Sequence, residues 1–521
     1  MEEKMENQFA APPSHFNFAS HVMELNAART DKLAYIDDAG GYSYGKLFEQ
    51  AQRFAGLMQS LGLHREERVL LCLHDSIDFP VAFLGSLYAG IVPVMVNTLL
   101  SADDYSYMLA NSRTQAVVVS GLLLPAFVEA LGRGGHEVKH ILVSQPEQPL
   151  PESMLDLRFA LNAVAPGHAA LTSVDDIAFW QYSSGSTGKP KGTVHTHGNL
   201  YWINELYGKN VLCLRENDVV FSAAKLFFGY GLGNGLTFPL CAGATAVLMA
   251  ERPTPQAVFK RLKEQKPTVF YGVPTLYVSM LNAPELPARN EVSLRLCTSA
   301  GEALPQEVGE RFRDHFHCDI LDGIGSTEML HIFLSNRSDD VHYGSTGKPV
   351  PGYELELRDE AGQVVPPGEV GDLYIKGPSS ALMYWSNREK SRATFLGEWL
   401  KSGDKYMRDT EGYFYYVGRS DDMLKVSGQY VSPFEVETTL MHHPAVLEAA
   451  VVGVPDENGL IKIKAYVVLK DTYTPGEALA TELKSFIKTR LAPHKYPRSV
   501  EFLAELPKTA TGKIQRFKLR S

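Results

Sequence analysis

Apolar residues recur at helical spacing in HVMELNAA (21–28) and YGKLFEQAQRFAGLMQSLG (44–62), whereas ERVLLCL (67–73) and TQAVVVSG (114–121) are continuous enough in aliphatic residues to be buried strands. The two kinds of segment alternate from about residue 19 to 130. Each return to a parallel strand needs a crossover of a dozen or more residues, so this rhythm predicts an α/β unit. It resumes further on. NLYWINELYG (199–208), PQAVFKRLKEQ (255–265) and PQEVGERFRDHF (305–316) predict helices; DVVFSAA (218–224), GATAVLM (243–249), TVFYG (268–272), LRLCTSAG (294–301) and DILDGIG (319–325) predict strands of a second α/β layer.

After about residue 340 the pattern turns to strands and turns, as in YELELRDEAGQVVPPGEVGDLYIKG (353–377) and EGYFYYVG (411–418), and predicts an antiparallel β subdomain. GRSDDMLKVSG (418–428) is polar and glycine-flanked, and a fresh helix and strand pattern follows it. A domain boundary is expected there, with a small α+β domain closing the chain.

Composition narrows the partners. The net charge of −10 is spread without long runs of one sign, which leaves no footprint for nucleic acid or an anionic membrane. Five cysteines, at 72, 213, 241, 297 and 318, show no CxxC spacing, so neither a disulfide framework nor a zinc site is expected. The N-terminus lacks the apolar region of a secretory signal, and PVAFLGSLYAGIVPVMV (80–96) is too short and too broken by Pro and Gly to span a bilayer. A cytoplasmic protein is the expectation.

The hexapeptide GSTGKP occurs twice, at 185–190 and 344–349. Neither copy is a Walker A loop: two residues instead of four separate Gly185 from Gly188, and Pro190 stands where a Ser or Thr would reach magnesium. The physical logic of a phosphate clamp survives in the first copy. Glycines permit an anion nest of backbone N–H groups, Ser183, Ser184, Ser186 and Thr187 add hydroxyls, and Lys189 and Lys191 add charge. It also follows the apolar run IAFWQY, a buried strand ending at a site edge. The second copy runs into PVPGYELELR and predicts a turn.

YSSGSTGKPKGTVHTHGN (182–199) resembles the signature loop of the adenylate-forming enzymes, the family of acyl- and aryl-CoA synthetases, nonribosomal adenylation domains and firefly-type luciferases. SAGEALP (299–305), DGIGSTE (322–328), GEWLKSGDKY (397–406), GRSDDMLKVSG (418–428) and PKTATGKIQR (507–516) follow in the family's order, so the resemblance covers essentially the whole chain. It implies an acetyl-CoA synthetase-like α/β fold. A large N-terminal domain, 1–418, would bind ATP and the acid, 419–422 would be a hinge, and 423–521 a mobile C-terminal domain.

The resemblance also implies a chemistry: ATP and a carboxylic acid form an acyl-AMP with loss of pyrophosphate, and coenzyme A then takes the acyl group. Ser183, Ser184, Gly185, Ser186, Thr187, Gly188 and Lys189 would close over the β- and γ-phosphates; Thr327 would bind the α-phosphate and Glu328 would hold Mg²⁺. Gly301, Glu302, Ala303, Asp322 and Gly323 would wall the adenine, Asp404 would accept the ribose hydroxyls, and Arg419 would assist it. Lys513 would bridge the substrate carboxylate and α-phosphate. Rotation about Asp421 would then withdraw Lys513 and bring in Lys425, Ser427 and Gly428 for coenzyme A. The family further suggests control of Lys513 by a lysine acetyltransferase and deacetylase.

KLFFGYGLGNG (225–235) and GSTEMLHIF (325–333) occupy positions that shape the acyl pocket in this family, and they look most like its benzoate-CoA ligase branch. Phe228, Gly229, Tyr230, Gly325, His331 and Ile332 are the candidate walls of a short, flat slot for a small aromatic carboxylic acid. Phe227 has even odds of being ordinary core, Gly229 offers a methyl's worth of extra room, and His331 either lines the slot or bonds the backbone. A ligase for an aminobenzoate or hydroxybenzoate is the alternative within the branch. A non-catalytic nucleotide-binding scaffold is the alternative of another class, and it would have no need of Glu328, Asp404 and Lys513. Oligomeric state, a homodimer included, stays open.

Overall fold

The computed structural model describes residues 9–183, 189–420, 422–426, 429–455, 461–491, 495–508 and 514–520. By contact the chain divides into two compact units. The first comprises Met1–Tyr343, Gly347–Glu354 and Ile375–Leu400, the second Gly344–Thr346, Leu355–Tyr374 and Lys401–Ser521. Much of the β-rich stretch that the sequence reading groups with the N-terminal domain thus clusters with the C-terminal residues.

The first unit holds two sheets. Among the described residues one has eight strands, in the order Met383–Tyr384, Lys191–Thr196, Ile177–Ser183, Val92–Met95, Arg68–Cys72, Ala116–Ser120, His140–Ser144 and Met154–Asp156. Its centre is parallel, as the helix and strand alternation requires, and antiparallel pairing is confined to the edge formed by Ile177–Ser183, Lys191–Thr196 and Met383–Tyr384. The other has nine strands among the described residues, from Lys348–Pro349 through Ile332–Ser335, Ile320–Gly325, Leu296–Ser299, Val269–Gly272, Val219–Ser222, Thr245–Val247 and Leu33–Asp37 to Gly40–Ser43. The hairpin Leu33–Asp37 with Gly40–Ser43 therefore joins the second sheet, pairing with Thr245–Val247, although its sequence neighbours build the first.

The helix predicted over 44–62 forms at Tyr44–Ser60, capped by Ser43 and burying Leu47, Phe48, Ala51, Phe54, Ala55 and Met58 on one face. The helix predicted over 199–208 differs. It is α-helical over His197–Ile203 and then widens to a π-helix over Asn204–Leu212, where Gly208 lies so close to Phe238 that a Cβ would stand 3.0 Å from its ring.

In the second unit, Trp399–Arg408 pairs antiparallel with Phe414–Arg419. Beyond them Val446–Pro455 and Ile461–Leu469 form an antiparallel pair, with Ser499–Phe502 parallel to the latter. Helices Pro433–Met441 and Glu477–Lys488 bury Val436, Leu440, Leu483 and Ile487 in the same core as Val451, Ile463 and Val467. Among the described residues no helix is long and apolar enough to cross a membrane.

Candidate active site

Strand Ile177–Ser183 is buried over its middle and returns through the first glycine loop into Lys191–Thr196, with Ser183 opposite Lys191. Ser184, Gly185, Ser186, Thr187 and Gly188 lie outside the described residues, so the loop is seen by its two ends. The Ser183 hydroxyl is buried with no hydrogen-bond partner among the described residues. Lys189 is exposed, with Nζ 5.4 Å from the Tyr107 ring centroid, and Lys191 Nζ lies 4.3 Å from that of Tyr384. In the second GSTGKP both Gly344 and Gly347 have φ of +88°, and Lys348 is 3.0 Å from Asp340, so this copy is a turn whose lysine already has a carboxylate.

Strand Ile320–Gly325 ends in a short 3₁₀ turn, Thr327–Met329, which leads back into the antiparallel strand Ile332–Ser335. Ser326 Oγ caps the turn by accepting the Met329 N–H at 3.2 Å. Gly325 has no space for a side chain, since a Cβ would lie 2.5 Å from the His331 carbonyl oxygen. Thr327 and Glu328 thus stand beyond the carboxyl end of a strand, the place where open α/β sheets bind ligands. The Tyr384 hydroxyl donates to Glu328 Oε1 at 2.6 Å, and His195 Nε2–H donates to the Thr327 carbonyl at 2.7 Å. His195 is buried against Phe179, ring to ring at 5.2 Å; burial pushes its pKa down to about 4, and Nδ1 has no partner among the described residues.

The acyl-slot candidates gather around this turn. Phe228, Gly229 and Tyr230 follow strand Val219–Ser222 and open the helix Gly229–Leu232, which continues as a π-helical turn, Gly233–Thr237. Phe227 is buried core and Phe228 half-buried; the two sit in a turn, closed by the Phe228 N–H to the Lys225 carbonyl at 3.0 Å, with their rings 4.3 Å apart and not on opposite faces as an extended segment would put them. Tyr230 OH lies 2.5 Å from Thr298 Oγ1. His331 Nε2 bonds the Tyr230 carbonyl at 3.3 Å, which supplies the backbone bond the sequence had left open. Its ring packs on Phe238 and Tyr207 at 4.7 and 5.2 Å, and burial pushes its pKa down to about 3, so it is neutral. Ile332, buried, starts the adjoining strand.

The extra room expected at Gly229 is corrected by the structure. A Cβ there would meet the Leu330 carbonyl oxygen at 2.4 Å and Gln181 Oε1 at 3.2 Å, so the space on that side is already filled by backbone. Leu330 itself has φ of +66°, uncommon for a non-glycine residue.

Sequence reasoning missed a set of polar side chains behind the slot. Asn234 and Tyr207 are fully buried there, and Tyr271 OH, Thr237 Oγ1 and His331 Nδ1 are buried without a hydrogen-bond partner among the described residues. Isolated Tyr, Asn and Thr letters inside apolar runs carry no signal that the fold buries their polar atoms. Gln181, whose Nε2 donates to the Phe227 carbonyl at 3.4 Å, was missed for the same reason.

Of the nucleotide candidates in the first unit, Gly301 has φ of +96° and Glu302 and Ala303 are half-buried beside it. Asp322 is buried in strand Ile320–Gly325, where desolvation holds its carboxyl well above the usual range, and Gly323 follows it against the Leu334 carbonyl. In the second unit Asp404 and Arg419 face each other across the strand pair, Nη1 to Oδ1 at 3.0 Å. Lys425 lies in strand Leu424–Val426 with its side chain outside the description, and Asp421, Ser427, Gly428 and Lys513 are outside the described residues. Close to Lys513 in sequence, Arg516 grips the buried Glu437 through two bonds, at 3.0 and 2.6 Å.

The matching families define the class as AMP-binding enzymes. The chain belongs to the AMP-binding enzyme family: residues 23–385 match that family and residues 435–513 match the AMP-binding enzyme C-terminal domain. It is 58% identical over 513 residues to a benzoate–CoA ligase of Thauera aromatica, covering 98% of this chain and 96% of the relative. It is 46% identical to a 4-hydroxybenzoate–CoA/benzoate–CoA ligase of Rhodopseudomonas palustris, covering 98% and 94%. The solved structure of a benzoate CoA ligase from Burkholderia xenovorans LB400 superposes with a TM-score of 0.91 at 63% identity, over 97% of this chain and 100% of that one.

Proposed function

We propose that this protein is an AMP-forming benzoate-CoA ligase, converting benzoate, ATP and coenzyme A to benzoyl-CoA, AMP and diphosphate through benzoyl-AMP. The observation that carries it is the Thr327–Glu328 turn leading directly into the aromatic wall at His331, in a chain 58% identical to a benzoate–CoA ligase. A carboxylate is a poor electrophile, and AMP makes its carbonyl a good one. Thr327 would hold the α-phosphate as the benzoate oxygen attacks it. Ser183 through Lys189 would neutralise the departing pyrophosphate. Glu328 is a hard oxygen ligand with a fixed orientation and fits Mg²⁺, which when bound would balance charge on the phosphates. Asp404 would take the ribose hydroxyls. Lys513 would contact the reacting atoms only in the adenylating arrangement, so losing it should depress adenylation far more than ATP binding. Rotation about Asp421 would then admit the thiol past Lys425, Ser427 and Gly428. Acetylation of Lys513 would remove its charge and stop adenylation; an acetylated protein of undiminished activity would rule that control out.

The test is competition among acids. With ATP, Mg²⁺ and coenzyme A, the protein should make benzoyl-CoA ahead of cinnamoyl-, hexanoyl- and palmitoyl-CoA by mass spectrometry, and a different dominant thioester would overturn the slot assignment. A second reading, a hydroxybenzoate or aminobenzoate ligase, is favoured by the buried Tyr271 hydroxyl and Thr237 Oγ1, which have no hydrogen-bond partner among the described residues, because unmet polar atoms reward a ring substituent that bonds them. It predicts that 3- or 4-hydroxybenzoate, or 2-aminobenzoate, outcompetes benzoate.

A further inference from the structure

The turn that carries Thr327 and Glu328 is three residues of 3₁₀ helix followed by Leu330 at φ +66°, closed internally by the Leu330 N–H to the Thr327 carbonyl at 3.2 Å and the His331 N–H to the Met329 carbonyl at 2.8 Å. Its three successive carbonyls each receive a donor from elsewhere in the chain. His195 Nε2–H reaches the Thr327 oxygen at 2.7 Å, the Ala381 N–H reaches the Glu328 oxygen at 2.7 Å, and the Ser379 hydroxyl reaches the Met329 oxygen at 2.9 Å. These donors are anchored in turn. Ser379 Oγ spends its only proton on Met329, so the Tyr353 hydroxyl 2.7 Å away must donate to it. Asn199 Nδ2 donates to the Ser379 and Ser380 carbonyls, and the His195 ring lies along Phe179.

The carboxylate is aimed separately. Tyr384 belongs to the short strand Met383–Tyr384, paired with Lys191–Thr196, and its hydroxyl meets Glu328 Oε1 at 2.6 Å while its N–H donates to Ser391 Oγ at 3.0 Å. One edge of the eight-stranded sheet thus supplies both His195, which holds the turn's backbone, and Tyr384, which holds its side chain.

We propose that Tyr384 and His195 are positioning residues for acyl-adenylate formation: Tyr384 sets the direction of the Glu328 carboxylate, and His195 sets the height of the Thr327–Glu328 backbone. This rests on the assignment of Thr327 to the α-phosphate and Glu328 to the metal. Neither positioning residue needs to touch substrate. Groups that orient a metal-binding carboxylate are worth about 10- to 100-fold in metal affinity or activity.

The experiment uses the full chain. Benzoate-dependent exchange of pyrophosphate into ATP reads adenylation, and electron paramagnetic resonance of Mn²⁺ with a non-hydrolysable ATP analogue reads the metal site without turnover. Tyr384→Phe, which deletes only the hydroxyl, should lower exchange kcat and Mn²⁺ affinity about 10- to 100-fold, with the KM for benzoate and the unfolding temperature unchanged. His195→Leu should lose exchange, and His195→Gln, which can still offer an N–H to the carbonyl, should restore much of it. Wild-type exchange and Mn²⁺ affinity in Tyr384→Phe, or a folded His195→Gln no better than His195→Leu, would overturn the proposal. Unaltered protein inert in exchange but binding Mn²⁺ with the analogue would count against the functional reading alone, and the Mn²⁺ titrations of the variants would then decide the positioning role.

Discussion

Acid should unfold this protein early, through three buried histidines. His195, His197 and His331 have their pKa values pushed down by burial from the ordinary 6.5 to about 4, about 4 and about 3. Each has a structural reason to stay neutral. His197 Nδ1 accepts the Phe18 N–H at 3.2 Å, and the Nδ1 atoms of His195 and His331 are sealed from water without a partner. A base with a depressed folded pKa lends stability that is complete above its unfolded pKa and is lost as pH falls toward the folded one. Near pH 5.5 the unfolded chain binds almost three more protons at these sites, which contributes a fall of about 4 kcal/mol per pH unit. Between pH 7 and pH 5 the histidine contribution sums to about 5 kcal/mol; the buried carboxyls of Asp75 and Asp322, whose pKa values are raised by burial, offset part of it. Urea unfolding of the full chain at pH 8, 6.5, 5.5 and 5, repeated for His197→Gln, measures it. The variant should flatten the slope by about 1.4 kcal/mol per pH unit. A slope equal to that of the unaltered protein would refute the assignment of His197 as a buried neutral base.

Two further predictions follow from the second unit. Glu437 is 3% exposed and is held by Arg516, whose guanidinium forms two bonds to it. Arg516→Met should therefore cost about 3–5 kcal/mol by chemical unfolding, because it leaves a buried carboxylate uncompensated, and a loss under 1 kcal/mol would show Glu437 protonated or relaxed into solvent. Asp421→Pro should leave pyrophosphate exchange largely intact and cripple thioester formation in a coupled assay; equal loss of both would reject the hinge.

The repeated helix and strand alternation of residues 19–130 and 199–325 was enough to predict two α/β layers, since periodicity is local and survives reading one residue at a time. Tyr44–Ser60 formed where its apolar stripe placed it. The ordered motifs likewise singled out Thr327, Glu328, Asp404 and Arg419 as site candidates, through their resemblance to the family's motifs.

Pairing, by contrast, is set by surfaces that meet across long separations. Nothing in LAYID (33–37) says that it pairs with Thr245–Val247 in the second sheet instead of with the strands that follow it in sequence. The room at Gly229 was misjudged because the Leu330 carbonyl that fills it arrives 101 positions later, on a turn with an unusual φ. His195, Ser379 and Tyr384 share no signal in the sequence, and only the fold brings them to one turn. Residue order thus determined which segments could be strands and helices, while tertiary packing decided which strands pair, which carbonyls receive donors and which histidines must remain uncharged.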